Sequence, residues 1–98
     1  MKVQTFICNM LHENCYVAYE ESSHEAAIID PGFYWVDERQ LLTEFIGEHG
    51  LQVKYLLCTH LHFDHIFGVP FVEDAFGVKL IHTIRGVGYV FRDMVETV

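Results

Sequence analysis

The segment Thr59-His60-Leu61-His62-Phe63-Asp64-His65 places three imidazoles and one carboxylate within six positions, directly after an apolar run. Packing explains such a cluster poorly and metal binding explains it well. Zinc takes imidazole nitrogen and carboxylate oxygen at ~2.0–2.2 Å, usually in four-coordination. His60 and His62, two apart, can project to one side of an extended or turning loop and hold one ion. Asp64 and His65 are offset from them and can face a second. Two cations ~3.5–4 Å apart can share a water, draw its pKa towards neutrality and polarise a carbonyl or phosphoryl oxygen. Asp64 would then bind metal and orient the attacking water. The competing reading is a solvated polar loop, because a histidine-rich chain forms such clusters by chance at a finite rate.

The elements that must position this loop follow from the hydrophobic pattern. Residues 3–8 and 14–19 carry β-branched and aromatic side chains and predict paired strands. Ala26-Ala27-Ile28-Ile29 predicts a third, stopped by the turn signal Asp30-Pro31-Gly32. The first third is therefore expected to be an antiparallel meander. A helix is predicted over 36–49, from the helical spacing of Leu41, Leu42, Phe45 and Ile46, with Gly50 placed to end it. Asp37 and Glu38 suit its positive N-terminal end. Residues 53–58 predict a buried strand that delivers the histidine-rich loop at its carboxyl end, where open α/β sheets place their sites. A second helix is expected over 66–76, with Pro70 in its first turns and Gly77 at its end. A strand over 78–84 and a hairpin return through Arg85-Gly86-Val87-Gly88-Tyr89 complete the pattern.

Ninety-eight residues suffice for one small domain, and 51% hydrophobic content supports a core. No apolar stretch approaches the ~20 residues of a membrane span, and the first residues lack a secretory h-region. The expectation is a soluble cytoplasmic protein. A formal charge of -8, from Asp+Glu 14 against Lys+Arg 6, disfavours nucleic acid and is compatible with divalent cations. Cys8, Cys15 and Cys58 are odd in number, lack Cys-x-x-Cys spacing and are expected to be reduced, buried thiols, Cys58 bordering the loop. His12, His24 and His49 fall in polar or terminal positions and are expected at the surface. His82 falls within a strand, where packing is the expected role.

The loop resembles the signature of the metallo-β-lactamase fold, especially its glyoxalase II-like hydrolases. Asn14-Cys15-Tyr16 resembles an early-strand motif of that branch. Ile29-Asp30-Pro31-Gly32 resembles its strand-end turn, and Gly68 follows the loop as in the family. The resemblance covers about residues 1–81. It implies an α+β fold, half of an αββα sandwich, with a mixed or antiparallel sheet, two helices and a C-terminal hairpin. It implies zinc, up to two ions, with iron or manganese in some members. The implied reaction is hydrolysis of a small-molecule substrate, often a thioester. Carried onto this chain, His60 and His62 would ligate the first ion and Asp64 and His65 the second. Asp30 and Thr59 would support the ligands without touching metal.

The further histidines and the bridging aspartate that the family places downstream have no counterpart among Glu73, Asp74, His82, Asp93 and Glu96. Two protein donors per ion fall short of the three that a catalytic zinc typically keeps. The expectation is one shortened domain, 1–81 family-like and 82–98 divergent, catalytically incomplete by itself. Two other readings compete. A half-sandwich would expose an inner apolar face and could pair with a second copy. Residues 79–92 resemble the C-terminal hairpin of winged-helix response regulators, which would imply DNA binding, but no basic recognition helix precedes them.

Overall fold

The computed structural model describes residues 1–59 and 67–81, the last by its backbone only. Strands β1 (Lys2–Cys8), β2 (Glu13–Tyr19) and β3 (Glu25–Ile29) form the expected antiparallel meander. Helix α1 (Val36–Glu48) then crosses over to β4 (Gln52–Leu57), which lies parallel to β3. Helix α2 (Val69–Phe76) leads to the short β5 (Leu80–Ile81), parallel to β4. The sheet order is β1-β2-β3-β4-β5. The two parallel pairs need crossover connections, and each helix supplies one.

Pairing register divides the side chains cleanly between two faces. Gln4, Val17, Ile28, Leu56 and Leu80 line up across the strands, as do Tyr19, Ala26 and Val53. These rows face the helices, where Leu42 and Ile46 of α1 and Val72 of α2 close the core with Phe33. Full burial of a side chain such as Ile28, Leu42 or Leu56 contributes ~1.5–3 kcal/mol. Phe6 ties this core to the site, meeting Phe33 edge-on at 5.8 Å and Phe45 at 5.6 Å.

The other face carries Val3, Ala18, Ala27 and Tyr55 in one row and Thr5, Tyr16, Ile29 and Leu57 in the next. Here the sequence expectation needs correcting. β4 was expected to be buried throughout, yet Lys54 and Tyr55 are exposed and only Val53 and Leu56 are buried. Among the described residues, helices cover one side of β4 only, and a register irregularity beside Ala26 and Ala27 adds a residue there.

Both helices end as glycine predicts. Gly50 takes φ +59° and Leu51 donates back to the Ile46 carbonyl at 3.0 Å; Gly77 takes φ +67°. α2 begins at Val69, not 66, with Gly68 as its N-cap and Pro70 in its first turn. His12, His24 and His49 are exposed. The strand expected over 78–84 starts only at Leu80, with Val78 and Lys79 outside it; His82, residues 83–84, the hairpin through residue 92 and the tail lie outside the described residues.

Candidate metal centre

The carboxyl ends of β3 and β4 lie side by side, with Ile29 opposite Leu57. Asp30 follows β3 directly, and its N–H donates to the Leu57 carbonyl at 2.9 Å. Its φ is +55°, the left-handed region, which aspartate enters more readily than most residues. That bend aims the carboxylate at Thr59. Oδ1 accepts the Thr59 backbone N–H at 2.6 Å and Oδ2 accepts the Thr59 hydroxyl at 2.5 Å. Asp30 is 4% exposed while Thr59 is exposed, so these charge-assisted bonds are partly buried. Thr59 is the last residue before His60.

The other end of the segment is held by the next residue of the same turn. Gly68 donates its N–H to the Pro31 carbonyl at 2.7 Å. A Cβ on Gly68 would lie 2.6 Å from that oxygen and 3.1 Å from the Phe33 N and Cβ atoms. Only glycine permits this approach. Gly68→Ala is therefore expected to cost ~1–3 kcal/mol, the usual scale of overpacking, measured by chemical denaturation. An unchanged midpoint would mean that the stem is not held against Pro31.

His60, His62, Asp64 and His65 lie outside the described residues. What is described is the frame: both flanks of 60–66 are fastened to the successive residues Asp30 and Pro31. Among the described residues, no group of three or more His, Cys, Asp and Glu side chains could hold a metal.

Sequence reasoning missed two residues that hold the turn. Asn9, buried and at φ +58°, donates its amide to the Gly32 carbonyl at 3.0 Å and accepts from Leu11 N–H at 2.8 Å. Glu38 accepts the Asn9 N–H at 2.7 Å through Oε2, and the Tyr34 and Trp35 N–H groups at 2.9 and 3.2 Å through Oε1. Its position three residues into α1 marked it as a partner for the helix end. Its reach to the β1–β2 turn had no local signal.

Cys8, Cys15 and Cys58 are free and fully buried beneath this turn, as expected. Burial, then the Cys8 thiol and the Asp30 charge, push the Cys15 thiol well up from its ordinary value; burial and Asp30 push Cys58 up to about 12. Both stay protonated at neutral pH and are poor nucleophiles. Unfolded thiols ionise near pH ~8.5, so between there and the raised folded values the unfolded chain binds fewer protons. Stability must therefore fall as pH rises through that window, by up to ~1.4 kcal/mol per unit for each thiol. Denaturation at pH 8 and 10.5 should show this loss, smaller in Cys15→Ala; an equal loss in both would place its origin elsewhere.

A family model described as the metallo-beta-lactamase superfamily matches residues 9–98. Hydroxyacylglutathione hydrolase GloC of Haemophilus influenzae is 29% identical over 96 residues, covering 98% of this chain and 43% of that protein. An uncharacterized protein of Mycobacterium leprae is 33% identical over 79% of this chain and 34% of its own length. Among solved structures, BLEG-1 B3 metallo-beta-lactamase superposes with a TM-score of 0.70 at 30% identity, over 81% of this chain and 35% of that one. ETHE1 from Myxococcus xanthus gives 0.70 at 18% identity, which speaks for the fold alone. The chain thus spans well under half the length of these relatives. With an α+β fold that matches theirs, a mixed sheet and a model match over nearly its whole length, the chain belongs to the metallo-β-lactamase superfamily.

Proposed function

We propose that this chain carries the metal-binding loop of a metal-dependent hydrolase that acts on thioesters in the manner of glyoxalase II-like enzymes. His60 and His62 hold one zinc ion and Asp64 and His65 a second, with Asp64 also orienting the attacking water. Iron or manganese would suit the same donors. The observation that carries this reading is the frame: Asp30 grips Thr59 and Pro31 receives Gly68, so a seven-residue segment rich in donors is fastened at both ends. The donor chemistry fits zinc. Asp30, with each oxygen engaged by Thr59, suits a supporting role. When bound, the metal supplies Lewis acidity and a water acidic enough to attack at neutral pH. The buried protonated thiols fit a reducing cytoplasm, and among the described residues no helix is long and apolar enough to cross a membrane.

By itself the chain offers two donors per ion, so weak metal retention and little turnover are expected. Metal content after dialysis, with thioester hydrolysis measured beside a His62→Ala control, tests this. Metal retained equally by the control would remove the reading.

A second reading, self-association without catalysis, is favoured by one observation. On the sheet face turned away from the helices Val3, Ile7 and Tyr55 are 41%, 67% and 54% exposed. Two copies placed face to face would bury these side chains with C₂ symmetry. Sizing at micromolar concentration should then show a dimer that Ile7→Ser with Tyr55→Ser weakens at least tenfold. A monomer in both would exclude it.

A further inference from the structure

We propose that the open edge of β1 pairs with β1 of a second copy, antiparallel and with the two-fold axis at Thr5. The pairing stands apart from the hydrolase reading, and it uses the edge of the strand, not the sheet face. Among the described residues β1 has one neighbour, β2. The direction of its backbone groups follows from the ladder. Glu20 donates its N–H to the Glu25 carbonyl at 3.0 Å, in the same register as Ala18 opposite Ala27 and Tyr16 opposite Ile29. Antiparallel ladders alternate, so Ala18 and Tyr16 turn their N–H and C=O groups towards β3. Their partners on β1 are Val3 and Thr5, which therefore turn theirs outwards, as does Ile7. Gln4 Nε2 donates to the Thr5 carbonyl at 3.3 Å, as suits an oxygen that β2 leaves unpaired.

Exposed edges are normally guarded by charge, proline, a bulge or short length. β1 runs for 7 residues without proline or glycine, without a register shift against β2, and with one charge, Lys2, at its start. Its sequence is also complementary to itself. Turned about Thr5, Val3 stands opposite Ile7, Gln4 opposite Phe6, and Lys2 opposite Cys8. Val3 and Ile7, 41% and 67% exposed, become apolar cross-strand partners on both sides of the axis, and no like charges meet. Val3, Thr5 and Ile7 are also the residues whose backbone groups point outwards, so each of these pairs exchanges both hydrogen bonds. A slip of one residue would set helix-side chains opposite chains of the other face, and a slip of two would leave strand ends unpaired. This self-complementarity selects a second copy of the chain over an unrelated strand.

The test is amide hydrogen exchange on the full chain over a concentration series, with sedimentation of the same samples. The Val3, Thr5 and Ile7 amides should become protected as the dimer forms; a face-to-face dimer leaves them pointing into solvent. A dimer in which these three amides exchange as fast as in the monomer would overturn the edge pairing, and so would a chain that stays monomeric at millimolar concentration. Thr5 is exposed, so charged substitutions there should leave the fold intact. Thr5→Lys and Thr5→Glu each set like charges against each other at the axis and should weaken the dimer about tenfold, while an equal mixture of the two should restore it as a heterodimer. Single variants that dimerise like the parent, or a mixture that stays monomeric, would contradict the proposal. Tyr55→Ser should leave the edge dimer unchanged; a dimer lost in Tyr55→Ser and kept in Thr5→Lys belongs to the sheet face instead. The dimer should form equally with and without a zinc chelator, so a failed metal loop leaves the edge standing, and the reverse holds.

Discussion

Alanine at both His60 and His62 is expected to remove the first of the two zinc ions after dialysis, leaving Asp64 and His65 as the protein donors of the second. Two imidazoles provide both protein donors of the first ion in the proposed arrangement, and a site reduced to water ligands has no hold on a borderline-soft cation. The expected loss of affinity is a hundredfold or more, larger than for any other substitution considered. The fold should survive, because the described core lies between the sheet and the helices and uses neither residue. Zinc titration with a chromophoric chelator, beside circular dichroism, separates loss of donors from loss of structure. Zinc affinity unchanged in this variant would mean that the histidine cluster is solvated decoration.

Asp30→Ala should produce the second-largest effect, through support instead of ligation. The substitution removes the two bonds that Asp30 accepts from Thr59. Hydrogen bonds to a charged group are worth ~1.5–3 kcal/mol each, and alanine tolerates φ +55° worse than aspartate does. A loss of ~3 kcal/mol in stability is expected. Residues that hold metal ligands typically cost 10–100-fold in metal affinity when removed, and that range is expected here. Asp30→Asn keeps an acceptor for the Thr59 N–H and a polar side chain suited to the left-handed bend, so it should recover most of the stability. Alanine and asparagine variants with the same zinc affinity as the parent would show that Asp30 is only a turn former.

The fold was largely legible because its signals are local. The β-branched and aromatic runs of β1–β3, the helical spacing of Leu41, Leu42, Phe45 and Ile46, and Gly50 and Gly77 after the two helices each depend on near neighbours; β1–β3 and α1 formed where expected, while α2 began at Val69. The uneven burial of β4 was not legible, because exposure of Lys54 and Tyr55 depends on what covers the sheet's second face. Asp30 could be singled out through its turn and its family resemblance. The bonds that give it a task span 29 residues, as does the contact between Glu38 and Asn9, and no periodicity encodes such distances. Gly68 was noted for its place after the loop. Its physical reason, a backbone approach that a Cβ would block, required the position of Pro31.

X-ray absorption at the zinc edge, on the full chain loaded with zinc, reads the donors themselves. The expected spectrum shows imidazole scattering, with nitrogen or oxygen neighbours at ~2.0–2.1 Å in four-coordination, that falls to the contribution of His65 when His60 and His62 are alanine. A spectrum of hydrated zinc, identical in the parent and that variant, would contradict it.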